Sequence, residues 1–201
     1  PWSGRRVGMS ANPPTDGRRH ERLDEPHPDW AVVESVPEYE TSWFTGGYDL
    51  VQQPDGTQKR YYWAELPTAV VVTAVHDGHV MFVEQYRPTI RQEQLELPAG
   101  VVEAEESFTT AAERELREET GFRADSLSLL EEVWVATGLL RHKRAYVFAE
   151  GLTVEEQELG PNEFLTPRAV PVEDAIQEVR SRPTNEATLQ GLSLAKEDGL
   201  L

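Results

Sequence analysis

The chain has no cysteine, which excludes disulfides and thiolate chemistry and makes the cytoplasm the expected compartment. Lysine is nearly absent, occurring only at positions 59, 143 and 196, so arginine supplies most of the positive charge. Acidic residues outnumber basic ones 36 to 19, leaving a formal net charge of −17. A surface of that sign repels phosphate backbones and anionic lipid, so neither nucleic acid nor a membrane is an expected partner. The same balance suits very high salt, where screening relieves self-repulsion, and a halophilic protein is one expectation. Long apolar runs are missing too. The longest, Ala69 to Val75, is strand-length and too short to span a membrane.

What is present is one domain's worth of patterned sequence in 201 residues. Residues 1–38 are read as an irregular arm, because the stretch up to about Trp30 is rich in Pro, Gly, Arg and His without an apolar period. Residues 39–66 read as a β-hairpin turning at Asp55-Gly56, and residues 67–201 as the main domain. The main domain opens with a second hairpin turning at Asp77-Gly78. A short strand ending in Pro98-Ala99-Gly100, a helix from Ser107 to about Thr120, three more strands and two terminal helices follow. The expected class is α+β, an α/β/α sandwich around a mixed sheet.

The middle helix carries the chemistry. At about 100° per residue with Phe108 at zero, Ala111, Ala112 and Leu116 fall on one stripe. Glu115 and Glu119 land inside it, while Glu113, Arg114 and Arg117 fall on the opposite side. Two carboxylates one turn apart on a buried face repel each other and cost several kcal/mol of desolvation unless something positive faces them. Arginines of the helix would serve, as would a divalent cation, whose natural ligands are carboxylate oxygens. The preceding Pro98-Ala99-Gly100 loop favours the cation, since it lets backbone carbonyls approach the helix. Mg²⁺ held by a few carboxylates completes its shell with water and substrate phosphates, so a phosphorylated substrate is expected.

Gly100, Glu106, Arg114-Glu115-Leu116, Glu118-Glu119 and Gly121-Phe122 stand at the spacing of the Nudix box, and the chain resembles a Nudix hydrolase from about Tyr39 to Leu201. The resemblance implies metal-dependent hydrolysis of a nucleoside diphosphate linked to another group, with Mg²⁺ or Mn²⁺ as cofactor. It makes Glu115 and Glu119 metal ligands, joined by Glu118 and the Ala99 carbonyl. Arg114 would orient the glutamates, and Glu106 would bond back across the loop.

Outside the box, Gln85-Tyr86-Arg87-Pro88 and Leu95-Glu96-Leu97-Pro98 resemble the ADP-ribose pyrophosphatase branch. That likeness makes Arg87 and Glu96 substrate-site residues, although the strand alternation by itself allows Glu96 an exposed position. It also implies a homodimer that exchanges the N-terminal hairpin, with Tyr62 and Trp63 offering aromatic surface to adenine. The same likeness sets Glu163 in the region that supplies the general base, and Glu118 is its competitor for that role. GDP-mannose or another nucleoside diphosphate derivative is the alternative substrate, and a nucleotide sensor without catalysis is the alternative of another class. One segment departs from the branch: Thr137 stands where a proline is usual, and Arg141-His142-Lys143 occupy the place of an acid. These three read either as a solvated loop or as extra phosphate contacts.

Overall fold

The structure is a computed structural model that describes residues 27–181 and 183–201. The first 26 residues of the expected irregular arm therefore lie outside the described residues. The chain divides between Leu66 and Pro67 into two compact units.

In the first unit, β1 (Ala31–Glu40), β2 (Thr45–Gln52) and β3 (Gln58–Glu65) pair antiparallel in that order. The β2–β3 turn falls at the expected Asp55-Gly56. Gly56 takes a positive φ of 82°, and the Asp55 carboxylate accepts from the Thr57 amide at 2.9 Å. Strand β1 corrects the arm expected over residues 1–38, which here is strand from Ala31 onward. Nine of its ten residues are exposed and its register shifts twice, once at Pro37, so it has none of the alternating burial that betrays a strand in sequence.

In the second unit, β4 (Ala69–His76) and β5 (His79–Arg87) form the hairpin at Asp77-Gly78. Then come β6 (Gln92–Glu96), β7 (Ala99–Val101), α1 (Phe108–Thr120), β8 (Phe122–Arg123), β9 (Ser126–Trp134), β10 (Leu140–Arg141) and β11 (Lys143–Glu150). The chain closes with β12 (Thr153–Val154), β13 (Leu165–Pro171), α2 (Val172–Val179) and α3 (Glu186–Glu197). The sheet order is β13-β5-β4-β11-β9, with β6 also on β5 and β7 also on β4. Only β4 and β11 run parallel among these pairs, so the sheet is mixed.

Period-two alternation sorts the core. Val70, Val72 and Ala74 of β4 join Ala145, Val147 and Ala149 of β11 against Ala111, Ala112 and Leu116 of α1. Val71, Tyr146, Val80 and Phe82 pack the other face against Ala175 and Val179 of α2 and Leu192 of α3. Gly191 lets α3 lie close, since a Cβ there would meet Leu97 Cδ1 at 2.6 Å. Helices therefore cover both faces, the α/β/α sandwich read from the sequence. No helix among the described residues is long and apolar enough to cross a membrane.

Candidate active site

Helix α1 has the ends its sequence predicts. Ser107 caps it by accepting from the Thr110 amide, and Gly121 ends it in the left-handed region at φ 71°, its N–H bonded to the Arg117 carbonyl. The buried face holds Ala111, Ala112, Leu116 and Thr120, and with them Glu115 and Glu119, which are 7% and 5% exposed. The carboxylates do sit on the packed side. They face the β7 strand and loop, where Gly100 leaves space for the Glu115 carboxylate: a Cβ at that position would clash with it and force it to move. The Ala99 N–H donates to Glu119 Oε2 at 2.9 Å.

Arg114 departs from the helical-wheel expectation. Its guanidinium folds back and donates to Glu115 at 2.7 Å, to both Glu106 oxygens at 3.0 Å, to Glu118 at 3.4 Å and to the Val101 carbonyl at 2.9 Å. Glu106 in turn accepts from the Glu103 amide at 3.0 Å, closing the loop between β7 and α1. One cation thus serves three carboxylates, and Glu119 receives none of its charge directly.

The sheet contributes the second half of the site through side-chain parity. Met81 of β5 packs on the α1 face while Val80 and Phe82 pack on the other, so Gln85 and Arg87 share the α1 side with Met81. Glu96 lies opposite Val83 in the β5–β6 register and so projects to the same side. It accepts from Arg87 Nη2 at 2.5 Å, from Arg87 Nε at 3.1 Å and from Gln85 Nε2 at 3.1 Å. At 3% exposure, Glu96 is buried, which corrects the exposed position its local alternation allowed. Gln85 was not singled out by the sequence, although its place two residues before Arg87 puts it on that face.

Glu163 lies on the exposed loop between β12 and β13. Its carboxylate accepts from the Gly160 amide at 2.7 Å, and its own amide donates to the Gly160 carbonyl at 3.1 Å. It is close enough to act electrostatically on both Glu115 and Glu119. Tyr62 and Trp63 belong to β3 of the first unit. There Trp63 Nε1 donates to Asp49 at 2.9 Å, and the exposed Tyr62 ring meets Tyr48 edge-on.

Arg141-His142-Lys143 are not a solvated loop. Arg141 ends β10, and His142 is buried with Nδ1 bonded to the Pro67 carbonyl at 2.9 Å. Lys143 opens β11, paired with Glu132 at 2.7 Å and lying over the Trp134 ring. Two of the three are therefore committed to holding strands together.

Electrostatics separates the two helix carboxylates. Burial pushes the Glu119 carboxyl up to about 8, with repulsion from Glu115 and Glu163 adding to it and the Ala99 N–H and Arg87 opposing it. Burial also raises Glu115, but its hydrogen bond and ion pair with Arg114 pull the other way. The hydrogen bond with Glu96 raises the Arg87 guanidinium above its ordinary value. Among the described residues no three acidic or imidazole groups converge into a closed metal cage. The donor set nonetheless fits a hard divalent cation with an open shell: the Glu115 and Glu119 carboxylates lie beside a backbone loop, and such a cation completes its shell with water and phosphate oxygens.

Residues 65–191 match the family described as NUDIX domain. The chain belongs to the Nudix family. Among curated proteins, this Nudix chain is 34% identical over 140 residues to the ADP-ribose pyrophosphatase of Bacillus subtilis (strain 168), a match covering 68% of the chain and 76% of that protein. It is 28% identical over 137 residues to the methanol dehydrogenase activator of Bacillus methanolicus, covering 67% and 74% respectively. A crystal structure of an ADP compounds hydrolase superposes with a TM-score of 0.77 at 22% identity, over 88% of this chain and all of that one, a likeness of fold. The chain is thus a Nudix pyrophosphohydrolase of the ADP-ribose pyrophosphatase-like branch.

Proposed function

We propose that this Nudix chain hydrolyses the diphosphate of ADP-ribose, or of a closely related nucleotide sugar, to two monophosphates with Mg²⁺ or Mn²⁺ as cofactor. The observation that carries this reading is the pair of buried carboxylates Glu115 and Glu119 on one face of α1, with Gly100 leaving space for the Glu115 carboxylate. Similarity to the ADP-ribose pyrophosphatase of Bacillus subtilis supports the choice of substrate.

Glu115 and Glu119, with Glu118 and the Ala99 carbonyl, would hold the metal. When bound, it neutralises charge on the diphosphate and lowers the pKa of water. Arg114 fixes the carboxylates by bridging Glu106, Glu115 and Glu118. Arg87 positions the diphosphate from the end of β5, held in place by Glu96 and Gln85. Glu163 takes the proton from the attacking water as its oxygen bonds to phosphorus and the bridging P–O bond breaks. With ADP-ribose the products are AMP and ribose 5-phosphate. Tyr62 and Trp63 supply aromatic surface for the adenine within a homodimer.

The test is a panel of nucleoside diphosphate derivatives incubated with Mg²⁺ or Mn²⁺, at low and high salt, with the products identified. Release of AMP and ribose 5-phosphate only when metal is present is the expected result. Preference for GDP-mannose would overturn the substrate assignment, and binding without turnover would overturn the enzymatic one.

A further inference from the structure

We propose that Gln157 is a positioning residue that fastens the loop carrying Glu163 to the turn of α1 carrying Glu118 and Glu119. The proposal rests on the reading of Glu163 as general base.

The last carbonyls of any helix lack intrahelical partners. In α1 the loop after β12 takes them. The Glu158 amide donates to the Glu118 carbonyl at 3.2 Å, and the Glu155 amide donates to the Gly121 carbonyl at 2.7 Å. Gln157 Nε2 donates to the Glu119 carbonyl at 2.6 Å, and it is the one side chain in this set. The approach is close: a Cβ on Gly121 would stand 3.1 Å from the Glu155 carbonyl oxygen and 3.2 Å from the Gln157 nitrogen. Just upstream, β12 pairs with β8, matching Val154 with Phe122 and Thr153 with Arg123. The strand that leaves the helix and the loop that returns to it are therefore stitched side by side.

Beyond Glu158 the chain reaches Glu163 through Leu159, Gly160, Pro161 and Asn162. The Gly160–Glu163 turn closes on itself through two hydrogen bonds. A displacement at Gln157 thus passes along a short, proline-stiffened segment to the Glu163 carboxylate. Something has to hold that carboxylate near the helix, because Glu155, Glu156, Glu158 and Glu163 make the loop acidic and α1 presents Glu115, Glu118 and Glu119. The Arg117–Glu158 ion pair at 2.9 Å helps, but its glutamate is mostly exposed and such pairs contribute little. Gln157 is half-buried, and its loss strands a carbonyl at the end of α1.

The helix itself is anchored by Ala111, Ala112 and Leu116 in the core. Cutting the tether should therefore disturb Glu163 and leave the metal-binding carboxylates in place. The experiment compares wild type, Gln157→Leu, Glu163→Gln and the double variant. It measures kcat and KM for ADP-ribose at saturating Mg²⁺, Mn²⁺ affinity without substrate, and the unfolding temperature. Gln157→Leu should lower kcat about tenfold or more, the scale of a misplaced catalytic group. KM and Mn²⁺ affinity should stay close to wild type, the unfolding temperature should fall by only a few degrees for the stranded carbonyl, and the loss of kcat should add nothing in the Glu163→Gln background. Gln157→Met, which also lacks the donor, should reproduce these values if the leucine variant folds poorly. Full kcat in the Gln157 variants, or an equal loss whether or not Glu163 is present, overturns the proposal. Lost Mn²⁺ affinity overturns it as well. Full kcat in Glu163→Gln overturns the general-base reading itself, whereas a slow Glu163→Gln beside a fast Gln157→Leu overturns only the tether.

Discussion

Replacing Glu119 by glutamine tests the central claim that α1 stores an unfavourable buried charge for a cation to relieve. The folded chain holds this carboxyl up to about 8 against an ordinary value of 4.5, chiefly by burial. Between those limits the unfolded chain has lost the proton and the folded chain keeps it. The folded state then binds more protons, so stability falls as pH rises through this window and is fully present only below it. The whole excursion amounts to at most about 5 kcal/mol, and on the order of 3 kcal/mol after relaxation and water penetration. Glutamine is never ionised and its amide oxygen still accepts from the Ala99 N–H, so the variant escapes the penalty.

The assay is thermal unfolding in EDTA at intervals from pH 5 to 8.5, for both proteins. The difference between the two curves cancels the titrating groups that do not interact with Glu119, leaving Glu119 and its neighbours Glu115 and Glu163. Wild type should lose roughly 5–10 °C relative to Glu119→Gln across the range, taking about 2–4 °C per kcal/mol for a chain of this size. Mg²⁺ or Mn²⁺ should restore wild type at pH 8 and leave the variant unmoved, because a ligand stabilises only the state that binds it. Parallel curves in EDTA would refute the reasoning. In the loaded enzyme, kcat/KM should fall at least about 100-fold in the variant, the scale of losing one charge-stabilising group.

Three further changes probe the surroundings. Gly100→Ala places a methyl group where the Glu115 carboxylate lies, so metal affinity measured by titration should drop by at least about tenfold even if the protein remains folded. Arg87→Met leaves Glu96 buried with only Gln85 as partner. That should cost about 2–4 kcal/mol in urea unfolding, and adding Glu96→Gln should recover part of the loss. Finally, a chain of net charge −17 should gain stability as salt rises from low to molar concentration. Complete folding and full stability at low salt would remove the halophilic reading.

The helix and its glutamates were legible because a 3.6-residue period is a local property. The stripe of Ala111, Ala112 and Leu116 made Glu115 and Glu119 conspicuous, and the structure buries all five. The two hairpin turns were equally legible, because Asp-Gly at each position states its own backbone geometry. Strand β1 was hidden, since its exposed residues leave no pattern and its partner β2 is what makes it a strand. Arg141-His142-Lys143 looked like a free cationic loop because neither Glu132 nor the Pro67 carbonyl is near them in sequence. Arg114 pairs with the glutamates as the resemblance implied, although the helical wheel alone set it on the opposite side: the wheel fixes where a Cβ points, and the long side chain lets the guanidinium return to Glu106 and Glu115.

Glu96 shows why register decides more than residue type. Its alternation in β6 fixed only which neighbours share its face, and two faces remained equivalent until β6 paired with β5. Pairing opposite Val83 places it on the α1 side with Gln85 and Arg87, two residues apart on the facing strand. A slip of one residue would turn Glu96 toward α2 and α3 and leave Arg87 without its bidentate partner. Glu119, whose field already reaches Arg87, would then be the remaining carboxylate among its electrostatic neighbours. Glu96 therefore keeps the arginine occupied, so that Glu115 and Glu119 remain open to the proposed metal.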